Sequence, residues 1–104
     1  MEITPEELKL KLDREEKLTI VDVREPSEYT ICHLKEARHI PLGELGRRTG
    51  ELDPNKLIVL YCHHGMRSAQ ATLWLRRNGF KYVMNLEGGI DAWAERIDNS
   101  MARY

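Results

Sequence analysis

The segment "CHHGMRS", Cys62 to Ser68, combines residue types and a spacing that suit covalent chemistry at sulfur. Cys62 ends the apolar run "LIVLY" and opens a short loop before a helical pattern. A thiol becomes a nucleophile as its thiolate, and the free amides and positive dipole end of a following helix favour that form. Gly65 relaxes the limits on backbone torsion, so successive N–H groups of the loop can turn toward one centre and form an anion-binding nest. Its natural occupant is the sulfur of Cys62. Arg67, five residues on, adds a permanent cation and a planar fork suited to an oxyanion. Ser68 is expected to N-cap the next helix. His63 and His64 read either as polar lining that donates to an anion when protonated or as solvated loop residues, because a thiolate already stabilised by its loop needs no base. Met66 lies in the same short loop.

Other readings of these residues have less behind them. Adjacent Cys-His-His cannot easily aim three side chains at one ion and the paired-ligand spacing is missing, so no metal is expected and the chemistry calls for no cofactor. Cys32, beside Ile31 and Leu34, is expected to be a packing residue. A redox couple between Cys32 and Cys62 has no C-x-x-C spacing to support it.

The surrounding elements must place Cys62 where a ligand reaches it. "ITPEEL" carries a helix start, with Thr4 as N-cap, Pro5 at the first helical position, Glu7 closing a capping box and Ile3 set to staple on Leu8; the helix runs to about Arg14. "KLTIVDV", Lys17 to Val23, is short, β-branched and apolar, as a strand buried on both faces would be. A short helix near Ser27, an extended piece at Arg38 to Ile40, a helical turn in "LGEL", the strand Leu57 to Tyr61, a helix from Ser68 to Asn78, the strand "YVMNL" and a last helix bearing Ile90, Trp93, Ala94 and Ile97 follow in order. Trp74 and Trp93 are expected in or near the core. Alternating strands and helices predict a mostly parallel sheet with helices on both faces, and sites in such sheets gather beyond the carboxyl ends of the strands. Cys62 stands at such an end.

Composition narrows the function classes. With 104 residues, one domain spanning 1–104 is expected. The 16 Lys and Arg are offset by 17 Asp and Glu, which argues against nucleic acid as a partner. No apolar run is long enough to cross a bilayer and the charged start lacks the core of a signal peptide, so no membrane association and a cytoplasmic location are expected.

"CHHGMRS" resembles the active-site loop of the rhodanese family, in which a cysteine carries a persulfide. "IVDVREPSEYTICHLKEARHIPLGEL" resembles that family's N-terminal signature and "NLEGGIDAW" its C-terminal one, so the likeness covers nearly the whole chain in order. The resemblance implies a five-stranded, mostly parallel sheet flanked by helices on both faces. It also implies a thiosulfate sulfurtransferase-type enzyme: a small anionic sulfane-sulfur donor such as thiosulfate loads Cys62, and a thiol, cyanide or protein acceptor unloads it. Cys62 matches the sulfur carrier, His63 through Arg67 the cradle, and Ser68 the residue opening the helix. Asp22 and Arg24 match a charged pair expected to brace the loop. Cys32 and Glu36 stand where glycine is common in the family, so the turn at "CHLKEA" is expected to be built differently. Two alternatives stay open: a non-enzymatic binding or sensing module, and a cysteine phosphatase. The second is disfavoured because related phosphatases hold five residues between cysteine and arginine, whereas "CHHGMR" has four.

Overall fold

Thr4 starts the first helix as the sequence predicts. Its hydroxyl accepts the Glu7 amide at 3.1 Å and the Glu7 carboxylate accepts the Thr4 amide at 2.8 Å, a reciprocal box that satisfies two donors no helical carbonyl reaches. The computed structural model, which describes residues 1–104, then gives the elements in chain order. They are β1 (Glu2–Ile3), α1 (Pro5–Asp13), β2 (Leu18–Asp22), α2 (Pro26–Ile31), β3 (Ala37–His39), α3 (Leu42–Leu45), a 3₁₀ turn (Thr49–Glu51), β4 (Leu57–Tyr61), α4 (Met66–Arg77), β5 (Val83–Leu86) and α5 (Gly89–Arg96).

The five strands form one wholly parallel sheet in the order β1-β5-β4-β2-β3. Because successive strand residues face opposite sides, β4 splits its apolar run between two cores. Ile58 and Leu60 join Val21, Val83, Leu45, Ala71 and Leu75 under α3 and α4, whereas Val59 and Tyr61 join Ile20, Leu8, Leu86, Ile90 and Trp93 under α1 and α5. The near-continuous apolar patterns of β2 and β4 follow from burial on both faces.

The chain runs from β2 to β3 toward one edge, and from β4 to β5 toward the other. The carboxyl ends of β2 and β4 therefore flank the point where the winding reverses, where a crevice opens for a ligand. Cys62 follows β4 at this point, and Arg24 and α2 follow β2.

One strand goes beyond what was expected and two expectations are corrected. The two-residue strand β1, too short to show a period, supplies the fifth strand by pairing Glu2 and Ile3 with Asn85 and Leu86. Helix α4 begins at Met66 with Gly65 as its N-cap, so Ser68 lies inside the first turn and its hydroxyl is turned to other work. Trp93 is buried, but Trp74 is 41% exposed, lining a groove with Leu42, Leu45 and Gly46 between α3 and α4.

Candidate active site

Strand β4 delivers Cys62 to the end of the central layer, where its side chain is 1% exposed. The next three residues turn the chain sharply, and Gly65 takes φ +108°, a torsion that a side chain at that position would resist although there is room for one. This conformation aims main-chain donors inward. The Gly65 amide reaches Cys62 Sγ at 3.1 Å, the Ser68 amide at 3.4 Å and the Ser68 hydroxyl at 3.3 Å. Burial pushes the thiol up, but the Ser68 hydroxyl and the amides of Ser68, Gly65 and Arg67 outweigh it, and Cys62 ionises below the usual thiol range.

Ser68 is itself held. Its hydroxyl lies 2.5 Å from Asn85 Oδ1, and the Asn85 amide nitrogen donates to Glu2 Oε2 at 2.7 Å and to the Gly65 carbonyl at 3.1 Å. One hydroxyl proton thus faces two acceptors, Asn85 and the sulfur. The β1–β5 pair positions this donor from the far side of the loop.

The expected cradle residues divide into two groups. Cys62, Gly65 and Ser68 converge, joined by the main chain of Arg67. Met66 points to solvent, 78% exposed. His64 is exposed beside Asp91, with its Nδ1 3.8 Å from a carboxylate oxygen. His63 is half-buried, with Nε2 buried and without a hydrogen-bond partner; its ring stacks on Tyr104 at 3.8 Å and 8° between planes. Burial and the neighbouring His64 lower its pKa, so it is neutral at pH 7. No three His, Cys, Asp or Glu side chains gather as a metal site would require.

Arg67, 38% exposed, is paired rather than free. Its Nη1 and Nη2 donate to Glu28 Oε1 and Oε2 at 2.7 and 2.9 Å, a bidentate pair across the mouth of the site. Glu28 also accepts the Tyr104 hydroxyl at 2.8 Å, and its carboxyl is held down to about 2, chiefly by Arg67. Tyr104 in turn accepts Arg24 Nη1 at 2.9 Å.

Arg24 and Asp22 are both fully buried and paired through Nη2 and Oδ2 at 2.6 Å. Burial opposes the Arg24 charge, but bonds from Asp22 and Tyr104 more than restore it. Arg24 also donates to the carbonyls of Cys32 and Glu28 at 2.6 and 3.3 Å. The pair therefore braces the end of α2 and the turn after it, and reaches the Cys62 loop through Tyr104, which bonds Glu28 and stacks on His63, and through the Tyr61 hydroxyl, which donates to Asp22 at 2.8 Å. In that turn Cys32 has φ −164°, and Glu15 is the sole non-glycine residue with positive φ; neither Cys32 nor Glu36 needs the freedom of a glycine. Cys32 is half-buried against the α1–α5 core.

A family model described as a rhodanese-like domain matches residues 4–96. The chain belongs to that family. Among relatives, the putative sulfur carrier protein YrkF of Bacillus subtilis is 41% identical over 97 residues, covering 93% of this chain and 52% of the relative. The probable adenylyltransferase/sulfurtransferase MoeZ of Mycobacterium tuberculosis is 40% identical over 104 residues, covering 98% of this chain and 26% of the relative. This rhodanese-like domain thus spans about half and about a quarter of the lengths of these two proteins. Among solved structures, a rhodanese-like domain protein from Staphylococcus aureus superposes with a TM-score of 0.86 at 31% identity, covering 99% of this chain and 97% of that one. No helix of the domain is long and apolar enough to cross a membrane.

Glu28, Tyr104, Asn85 and Gly89 border the site without having been singled out by sequence. Glu28, Asn85 and Gly89 lie inside the two family signatures, which gave their segment but not their contacts. Nothing local in the sequence ties Tyr104 to residues 24, 28 and 63.

Proposed function

We propose that this domain is a sulfurtransferase that carries a sulfane sulfur on Cys62. In the first half-reaction the Cys62 thiolate attacks the outer sulfur of a donor such as thiosulfate. A new S–S bond forms, the old one breaks, and its electron pair leaves on sulfite. In the second, an acceptor attacks the outer sulfur of the Cys62 persulfide and the Cys62 thiolate departs. A thiol acceptor leaves as a persulfide, cyanide as thiocyanate, and a protein acceptor fits the same scheme. Both resting states are anions centred near one point, so the fixed donors need no rearrangement between steps.

The observation that carries this reading is the convergence of the Gly65 and Ser68 amides and the Ser68 hydroxyl on Cys62 Sγ at 3.1 to 3.4 Å. Relatives named sulfur carrier and sulfurtransferase agree with it. Intact-mass measurement after incubation with a sulfane-sulfur donor tests it: the wild type should gain the mass of one sulfur atom, lose it to cyanide or thiol, and gain none as Cys62→Ala. Wild-type protein that stays unmodified while binding a protein partner would make it a binding module instead. Turnover of an aryl phosphate is not expected.

A further inference from the structure

We infer that Glu28, braced by the Tyr104 hydroxyl, is a donor-specificity residue: it fills the Arg67 fork and so turns the site away from dianionic donors and toward alkyl persulfides. The inference rests on the sulfur-transfer reading above and narrows its donor. It begins from the two terminal nitrogens of Arg67, both committed to Glu28 at 2.7 and 2.9 Å.

Glu28 is held from more than one side. Its Oε1 accepts the Glu25 amide at 3.1 Å, closing a capping box at the start of α2, and its Oε2 accepts the Tyr104 hydroxyl at 2.8 Å. Tyr104 is fixed by its bond from Arg24 and by its stack on His63, and Arg24 is locked to Asp22 inside the protein. Swinging Glu28 aside to free Arg67 would therefore break a chain of contacts rooted in the core.

Two nearby basic groups add little positive charge. Arg103 donates to Asp91 at 2.9 Å, and His63 is neutral at pH 7. Thiosulfate carries two negative charges to a rim where the guanidinium is already neutralised, and it gains less there than at an open arginine. An alkyl persulfide offers its outer sulfur with no second anionic group. It needs only the amide cradle: the Cys62 thiolate attacks that outer sulfur, a new S–S bond forms, the old one breaks and its electron pair leaves on the alkyl thiolate.

The test compares rates of Cys62 persulfide formation, read by mass spectrometry on the full chain, for thiosulfate and 2-hydroxyethyl persulfide. Glu28→Gln keeps the size of the side chain and an oxygen for the Glu25 amide but removes the charge. It should raise the thiosulfate-to-alkyl-persulfide rate ratio by roughly tenfold, the scale of one charged contact. Tyr104→Phe keeps the stack and loses both hydroxyl bonds; it should move the ratio in the same direction by about threefold. If circular dichroism shows that Glu28→Gln does not fold, the sign of the Tyr104→Phe shift decides. A wild type that loads from a donor while the ratio is unchanged or lowered in the folded variants overturns the Glu28 assignment alone. A wild type that loads from neither donor overturns the sulfur-transfer reading and the assignment with it.

Discussion

The amide of Ile90 donates to the carbonyl oxygen of Cys62 at 2.9 Å. The next amide, of Asp91, donates to His63 at 3.1 Å, so the first turn of α5 holds the loop by its carbonyls and leaves the loop's own amides facing the sulfur. Gly89 makes this approach possible: at φ +62° a Cβ there would lie 2.4 Å from the His63 oxygen and 2.6 Å from the Cys62 oxygen, both main-chain atoms. Gly89→Ala should destabilise the domain by about 1–3 kcal/mol through overpacking and torsional strain. Urea unfolding measures that loss, and the same variant should show a higher Cys62 pKa because the loop must shift.

Ser68 gives the cleanest handle on the thiolate. Its hydroxyl and amide both reach Sγ, and a hydrogen bond to a charged group contributes about 1.5–3 kcal/mol. Ser68→Ala removes the hydroxyl and leaves the amide, so the Cys62 pKa should rise by about one unit. Thiolate fraction grows as pH rises through the pKa. The pH profile of Cys62 alkylation by iodoacetamide, resolved from Cys32 by peptide mass spectrometry, should have a wild-type midpoint below that of an ordinary thiol and move upward in the variant.

Patterns that act over a few residues were legible in the sequence. The Thr4 box, the strand at Leu57–Tyr61 and the torsional demand at Gly65 each depend on neighbours along the chain, and the structure keeps them. What could not be read is set by pairing across the sheet. A two-residue β1 has no period, and only its place beside β5 brings Glu2 to Asn85 and Asn85 to Ser68. Ser68 looked like an N-cap because serine at a helix start often is one; the left-handed Gly65 moved the start upstream and released the hydroxyl toward sulfur. Arg67 looked open for the same reason, since its partner Glu28 lies 39 positions away and meets it only where β2 and β4 end side by side.

The buried pair of Asp22 and Arg24 should tolerate no half-removal. Asp22→Asn leaves the Arg24 charge in a site with 0% exposure, and breaking such a pair costs about 3–5 kcal/mol. Replacing both residues by apolar ones should not restore stability. The carbonyls of Cys32 and Glu28 and the hydroxyls of Tyr61 and Tyr104 would all lose a partner. Chemical denaturation of the single and double variants checks both statements.

Acid should weaken the Glu28 pairs in a definite window. The folded value is about 2 against a usual 4.5, lowered first by the Arg67 bond, then countered by burial, and lowered again by Tyr104. A depressed carboxyl pKa means that the unfolded chain binds the proton more readily, so this stabilisation is fully present above pH 4.5 and is lost as pH falls toward 2. Other carboxylates also protonate in this range, so the informative quantity is the difference in unfolding free energy between wild type and Glu28→Gln. It should favour the wild type, stay flat above pH 4.5 and shrink steadily on acidification. A difference that instead grows as pH is lowered would mean that Glu28 is not the charged partner of Arg67 in solution.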